Sequence, residues 1–64
     1  MRYLISYSFI NGLGEPIKAE LEVTAYNAFA ACLEAAAILS RRFDLTMTGC
    51  LSMIMAVKPV NSSL

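Results

Sequence analysis

Residues 28–43, AFAACLEAAAILSRRF, predict a helix whose apolar arc is too wide for one small sheet to bury. At about 3.6 residues per turn, the apolar side chains cover roughly 220° of the helix circumference. A helix that packs on a single sheet needs an apolar stripe of only about 100°. The strictly polar side is limited to Glu34 and Arg41. The helix is therefore expected to have two apolar faces, of which a sheet covers one.

The length of the chain leaves little room to bury the second face. Its 64 residues form one domain at most, and a domain of this size buries only about 60% of the surface of its unfolded chain. The hydrophobic fraction is 58%, and the mean hydropathy is +0.60. The basic and acidic residues balance to zero net charge, which favours self-association. We therefore expect a homo-oligomer, a dimer or higher.

The apolar character does not come from a membrane-spanning segment. The longest uncharged stretches, residues 3–14 and 45–57, are shorter than the about 20 residues that cross a bilayer. The first residues alternate like a strand, and no small-residue cleavage site of a signal peptide follows them. The sequence therefore predicts a soluble, cytoplasmic protein without a membrane partner.

Two strands are expected before the helix. Residues 3–10, YLISYSFI, and residues 17–24, IKAELEVT, both alternate with the period of a strand. Residues 11–16 contain two glycines and a proline, and they predict a turn that is longer than a two-residue hairpin loop. The pair is expected to be an antiparallel hairpin whose second strand has one aqueous face.

The helix has recognisable ends. Asn27 is the predicted N-cap, because its side-chain oxygen can accept a hydrogen bond from the free amides of the first turn. Arg41 and Arg42 lie in the last turn, where their charges complement the negative end of the helix dipole. The same two arginines are the candidate ligand contacts.

One more strand is expected after the helix. A connector over residues 44–49 precedes residues 50–58, CLSMIMAVK, which predict a third strand that ends at Pro59. The predicted inner face of this strand consists of Leu51, Met53, Met55 and Val57. The expected fold class is α+β: a single ββαβ domain over residues 1–60, with a three-stranded antiparallel sheet in the order 2-1-3 and the helix across one face. Residues 61–64 are expected to form a loose tail.

The chemistry-bearing residues suggest neither a catalytic site nor a metal site. Histidine, the usual general base and the commonest metal ligand, is absent. Cys32 and Cys50 lack two further ligands for zinc, so both are interpreted as small buried apolar residues. The carboxylates are scattered along the chain, and no two of them obviously converge. We therefore expect a protein that is not an enzyme and uses no metal or cofactor.

Two surfaces are candidates for an interface with a second copy or a partner. The first is a helix stripe of large and small residues at helical spacing, which lets another helix approach closely. Its residues are Phe29, Leu33, Ala36, Ser40 and Phe43. In the opposite assignment this stripe covers the sheet, and the edge with Ala31 and Ile38 is the exposed one. The second candidate is the small, weakly polar outer face of the sheet. Its residues are Leu4, Ser6, Ser8, Ile10, Ser52, Ile54 and Ala56.

A nucleotide or nucleic acid is the alternative partner. Tyr3, Tyr7 and Phe9 form a row like the stacking platforms of single-strand RNA-binding proteins. They share the inward face with Ile5, however, and are assigned to the core. A site would have to form between subunits, where basic side chains from two copies could combine. Its cations would be Arg2, Lys18, Arg41 and Arg42.

The layout of the whole chain resembles that of many small proteins encoded by phages and prophages. In those proteins a strand ending in V-x-A-x is followed by a polar cap and an alanine-rich amphipathic helix. The matching positions are Val23, Ala25, Asn27, Ala31 and Ala35. Such proteins are often accessory factors, including anti-CRISPR inhibitors of bacterial defence. The resemblance implies a protein that binds and inhibits a host macromolecule in the host cytoplasm.

Overall fold

The chain begins with two strands that pair along their whole length. The computed structural model describes residues 1–60. β1 (Arg2–Ile10) and β2 (Pro16–Thr24) form an antiparallel ladder in which Ile5 is opposite Leu21. Each strand begins one residue before its predicted start and ends where it was predicted to end.

The turn between β1 and β2 is organised by Asn11. Its side-chain oxygen accepts hydrogen bonds from the backbone N–H groups of Leu13, at 2.8 Å, and Glu15, at 3.0 Å. Gly14 has a φ of 79°, in the left-handed region that residues with a Cβ rarely adopt. These local interactions help to set the register of the hairpin.

α1 (Ala28–Phe43) has the bounds that the sequence predicts. The Asn27 side chain accepts a hydrogen bond from the Ala30 N–H at 2.8 Å, which confirms the predicted N-cap. The helix ends at Asp44, which has a φ of 56° and donates its backbone N–H to the carbonyl of Ser40. Local sequence signals alone therefore place both ends of α1.

The segment after α1 differs from the prediction. Residues expected to form a connector and the start of a strand form a short helix instead, α2 (Met47–Met53), and β3 (Ile54–Pro59) is correspondingly shorter. The Thr46 side chain caps α2 by accepting from the Gly49 N–H at 3.1 Å. The run CLSM was misassigned because a short apolar segment fits a strand and a buried helix equally well.

The sheet has the predicted order β2-β1-β3, with all strands antiparallel. This arrangement confirms the α+β fold class and the 2-1-3 order, with the second helix as an addition. None of the helices in residues 1–60 is long and apolar enough to cross a membrane. The predicted tail, residues 61–64, lies outside the described residues.

A β-bulge in β3 reverses two predicted side-chain directions. Ser6 is opposite Ala56, but Tyr7 is opposite Ile54, so Met55 is the extra residue. As a result Ile54 and Val57 both pack against the core, while the Met55 side chain is 57% exposed. The prediction that Met55 faces inward and Ile54 outward was therefore wrong.

The core consists of two neighbouring clusters between the sheet and the helices. The buried members of the first are Tyr3, Ile5, Val23, Ala31 and Ala35. The buried members of the second are Tyr7, Ala36, Leu39 and Cys50. Because Cys50 comes from α2, this short helix covers part of the apolar surface of α1 that the sheet leaves open. The chain thus buries within itself much of the second apolar face of α1.

Candidate functional site

Several large apolar side chains stay exposed after α2 is in place. They are Met1, Ile10, Leu13, Tyr26, Phe29, Leu33, Leu45, Met47, Leu51 and Met55. Isolated exposed apolar residues are common on protein surfaces, whereas a group of them at one place marks a binding site. Three of the ten are close together along the chain, one just before α1 and two in its first half, and two of the three are aromatic. We call Tyr26, Phe29 and Leu33 the aromatic patch.

The aromatic patch is held on a rigid element. Asn27 caps the helix between Tyr26 and Phe29, and so fixes the backbone that carries both rings. Phe29 and Leu33 are one helical turn apart and share a face of α1. Phe29 is 73% exposed and Leu33 is 39% exposed. Both side chains are therefore presented to solvent from an ordered turn and not from a loop.

Tyr26 is 96% exposed, although an apolar residue just before a helix N-cap is often partly buried. It immediately precedes the N-cap, where an apolar residue often packs on the fourth residue of the helix as a hydrophobic staple. Here that residue is Ala31, which is fully buried in the core. The Tyr26 ring consequently makes no staple and contributes almost nothing to burial within the subunit.

An open cavity of about 350 Å³ adjoins the aromatic patch. It is lined by Met1, Thr24, Ala25, Tyr26, Ala30 and Glu34. The Ala25 N–H donates to the Met1 carbonyl at 2.9 Å, which ties the segment before α1 to the start of β1. The lining is mostly apolar, with one carboxylate from Glu34. Tyr26 is the residue of the aromatic patch that lines this cavity.

The structure divides the predicted helix stripe into two parts. Phe29 and Leu33 are exposed, whereas Ala36 is fully buried and Phe43 packs on Phe9. Ser40 is half-buried, and its hydroxyl donates to the Leu45 carbonyl. Of the last three predicted residues, Ala36 is closed to a partner, whereas Ser40 and Phe43 keep part of their surface exposed.

The two alternative assignments of the helix faces are also resolved. Ala31 is fully buried and Ile38 packs against the first core cluster, so their edge faces the sheet. Tyr3 and Tyr7 are buried under α1 and α2, which removes the aromatic row from contact with a base. The alternating row of rings on β1 is thus part of the core.

The outer face of the sheet keeps only part of its predicted composition. Leu4, Ser6 and Ser8 are half-buried and Ile10 is exposed, but Ser52 lies on α2. A second open cavity, of about 330 Å³, lies against the sheet. It is lined by Ser6, Tyr7, Lys18, Ala19, Glu20 and Met55. The face is therefore mixed in polarity, with a lysine and a glutamate beside a methionine.

Arg41 and Arg42 are both exposed in the last turn of α1. Neither lines either cavity described above. The ion pair among residues 1–60 instead joins Arg2 to Glu22, with 3.7 Å between the guanidinium nitrogen and the carboxylate oxygen. Within residues 1–60, Arg41 and Arg42 therefore lie outside both cavity linings and outside this ion pair.

The two cysteines lie on different helices. Cys50 is fully buried on α2 and not at the start of a strand, and Cys32 is half-buried on α1. Both are free thiols. Across the described residues, no three histidine, cysteine or acidic side chains converge in a group that could hold a metal ion.

Sequence reasoning missed Tyr26 as a site residue. The available signal was the pairing of a large ring before the N-cap with an alanine four residues into the helix, since alanine is too small to complete a staple. No family model, curated protein or solved structure matches the chain. Exposed surfaces and their chemistry are therefore the basis for a functional proposal.

Proposed function

We propose that this chain is a small homo-oligomeric interaction module that binds a protein partner through the aromatic patch and has no catalytic activity. The observation that carries the proposal is the exposure of Tyr26, at 96%, just before the N-cap of α1, and of Phe29, at 73%, in its first turn. Aromatic side chains dominate the energetics of protein interfaces, because they bring large contact area at a low cost in conformational entropy.

The chemistry of the patch favours a protein over a phosphate-bearing ligand. Glu34 has the charged side chain in the lining of the adjoining cavity, and a carboxylate repels phosphate. Arg41 lies about 18 Å further along the helix axis than Phe29, so it cannot neutralise a ligand bound at the patch. A protein surface with an apolar pocket for the rings and a lysine or arginine opposite Glu34 fits the arrangement.

The identity of the partner is proposed from the pattern of the chain. The resemblance to phage-encoded accessory proteins supports a host macromolecule, in particular a component of bacterial defence, as the target. Binding that occupies a functional surface of such a target would inhibit it stoichiometrically in the host cytoplasm. The absence of histidine from the chain supports inhibition by occupancy and not by chemical modification.

Self-association is supported by composition and size. The chain is 58% hydrophobic with zero net charge, and its accessible surface is 4391 Å². A standard interface covers about 800 Å² on each partner, which is roughly a fifth of this surface. A dimer would therefore bury a substantial share of the apolar area that α2 leaves exposed.

Affinity capture from a bacterial lysate with matched variants tests the partner-binding role. The test variant is Tyr26→Ala with Phe29→Ala, and the control is Leu13→Ala, which removes an apolar side chain that is 84% exposed in the β1–β2 turn. We expect the wild-type protein and the control to retain the same host protein at one copy per chain, and the double variant to lose it. Equal retention by all three proteins would contradict the proposal.

A further inference from the structure

We infer that two copies of the chain pair through the free edge of β2, in an antiparallel register centred on Ala19. The inference rests on the proposed homo-oligomer and identifies the surface that forms it. In the described part of the chain, β2 pairs with β1 alone, so its other edge has unpaired backbone groups. An edge strand of this kind is a template for pairing with another strand.

The phase of the β1–β2 ladder shows which backbone groups are free. The Ala25 N–H donates to the Met1 carbonyl at 2.9 Å, and the Asn11 N–H donates to the Glu15 carbonyl at 3.0 Å. In an antiparallel ladder, alternate residues exchange hydrogen bonds with the same neighbour. The odd-numbered residues of β2 therefore bond to β1. The residues whose N–H groups point to the free edge are Lys18, Glu20, Glu22 and Thr24.

The other edge of the sheet is unsuited to pairing. β3 has six residues, against nine in β2, and is interrupted by the bulge at Met55. It also ends at Pro59, which has no N–H group to donate. Short length, bulges and prolines are features that block strand addition at sheet edges. β2 is unbroken, and its proline, Pro16, is at its first residue.

The helix-side face of β2 offers apolar surface to a second copy. Ile17, Ala19 and Leu21 are all half-buried, because α1 covers this edge strand incompletely. In a register centred on Ala19, Ile17 lies opposite Leu21 of the partner subunit and the two alanines lie opposite each other. Such pairs across neighbouring strands stabilise sheets. Pairing would therefore bury a row of apolar side chains that are partly exposed to solvent in the monomer.

The charges on the outer face select this register. Centring on Ala19 places Lys18 opposite Glu20 of the partner subunit, and the two-fold symmetry repeats the contact. Registers centred on residues 18, 20 or 22 place identical charges opposite each other. The register centred on residue 21 places Glu20 opposite Glu22. Among these five registers, the one centred on Ala19 alone opposes no like charges, and it gains two complementary pairs.

The resulting assembly is a continuous six-stranded antiparallel sheet. Residues that lie opposite each other share a face, so the helices of both subunits lie on the same side of it. Each dimer then has two aromatic patches, one from each subunit. A dimer of this form can bind two copies of a partner, or two sites on one partner, with the avidity that linkage provides.

The test compares the sedimentation-equilibrium masses of four proteins. Glu20→Lys puts two lysine pairs across the interface and should weaken the dimer on the order of tenfold. Lys18→Glu combined with Glu20→Lys exchanges the charges and should restore wild-type affinity. Lys58→Glu, a charge reversal at an exposed site on β3, is the matched control and should leave the mass unchanged. Circular dichroism checks that each variant is folded.

Amide exchange tests the same contact residue by residue. In wild-type protein we expect slow exchange at residues 18, 20 and 22, and faster exchange at these positions in Glu20→Lys, in which the monomer fraction is larger. The N–H groups of Ala19 and Leu21 bond to β1 and should stay slow in both proteins, which shows that the sheet is intact. Exchange at Lys18 and Glu20 that is fast in the wild-type dimer would overturn the inference.

The outcomes separate the edge inference from the proposed function. A folded Glu20→Lys variant that dimerises as tightly as wild type would show that the copies associate through another surface. This result would refute pairing through the β2 edge but not the proposed homo-oligomer. A folded charge-exchanged variant that remains weak would refute the register centred on Ala19. A wild-type protein that is monomeric at tens of micromolar would refute both.

Discussion

The ring of Phe43, in the last turn of α1, packs on the ring of Phe9 in β1, with ring centroids 4.9 Å apart and an interplanar angle of 45°. This tilted contact is within the range in which aromatic pairs attract each other beyond simple burial. It anchors the C-terminal end of α1 to the sheet beside the cluster that receives α2. The N-terminal end of the same helix has Phe29 in solvent instead. Ala31 and Ala35 hold the N-terminal half of α1 in the first core cluster, so the helix packs against the chain along its length and leaves Phe29 exposed.

Leu39 and Leu33 should respond very differently to truncation. Leu39 is fully buried in the second cluster, so Leu39→Ala should lower the free energy of unfolding by about 2–5 kcal/mol. Leu33 is 39% exposed, and Leu33→Ala should cost about 1 kcal/mol or less. Urea denaturation followed by circular dichroism measures both. Equal losses would show that the two faces of α1 are wrongly assigned.

The N-cap of α1 should contribute measurably to stability. Removing the hydrogen bond from the Ala30 N–H to the Asn27 side chain with Asn27→Ala should cost about 0.5–2 kcal/mol. Asn27→Asp keeps an acceptor at the same place and should lose far less. A urea midpoint for Asn27→Ala equal to that of wild type would contradict the capped start on which the aromatic patch depends.

The two thiols should differ in reactivity because of α2. Cys50 is fully buried between α1, α2 and the sheet, whereas Cys32 is half-buried on α1. A thiol reagent added to folded protein should label Cys32 first and reach Cys50 only when α2 opens. Mass spectrometry of digested samples over time measures this order. Equally fast labelling of both cysteines would argue against the packing of α2 on α1.

Tyr26 should be dispensable for folding. Its side chain is 96% exposed and lacks a staple partner, so Tyr26→Ala should change the free energy of unfolding by no more than about 0.5 kcal/mol. The same change should weaken binding to the captured partner by more than about 1 kcal/mol if the ring lies at the interface. Titration calorimetry against that partner, beside urea denaturation, gives both values. A large loss of stability would instead make Tyr26 a structural residue.

The predictable parts of this fold are those with local signals. The strands β1 and β2 follow from unbroken alternation, and α1 follows from Asn27 and a long helical period. Residues 47–59 offered no such signal, since CLSMIMAV suits either a strand or a helix. The outcome there depends on the Thr46 cap and on the space that α1 leaves for Cys50, which exists only after the chain has folded. The bulge at Met55 likewise depends on pairing with β1.

The candidate site was only half predictable for the same reason. Phe29 and Leu33 were recognised from helical spacing, but that spacing continues through Ala36 and Phe43. Nothing in the spacing shows where α2 stops covering the stripe. The boundary between the buried and the exposed part of α1 is a tertiary property, set by the length and position of a helix that the sequence did not reveal.

The mass of the wild-type protein in solution tests the central claim most directly. Light scattering over a concentration series should return twice the chain mass of 7.0 kDa, or a higher multiple, at tens of micromolar, and a lower mass on dilution. The measurement needs no knowledge of the partner. A mass of 7.0 kDa at every concentration would contradict the account of this chain as a homo-oligomeric interaction module.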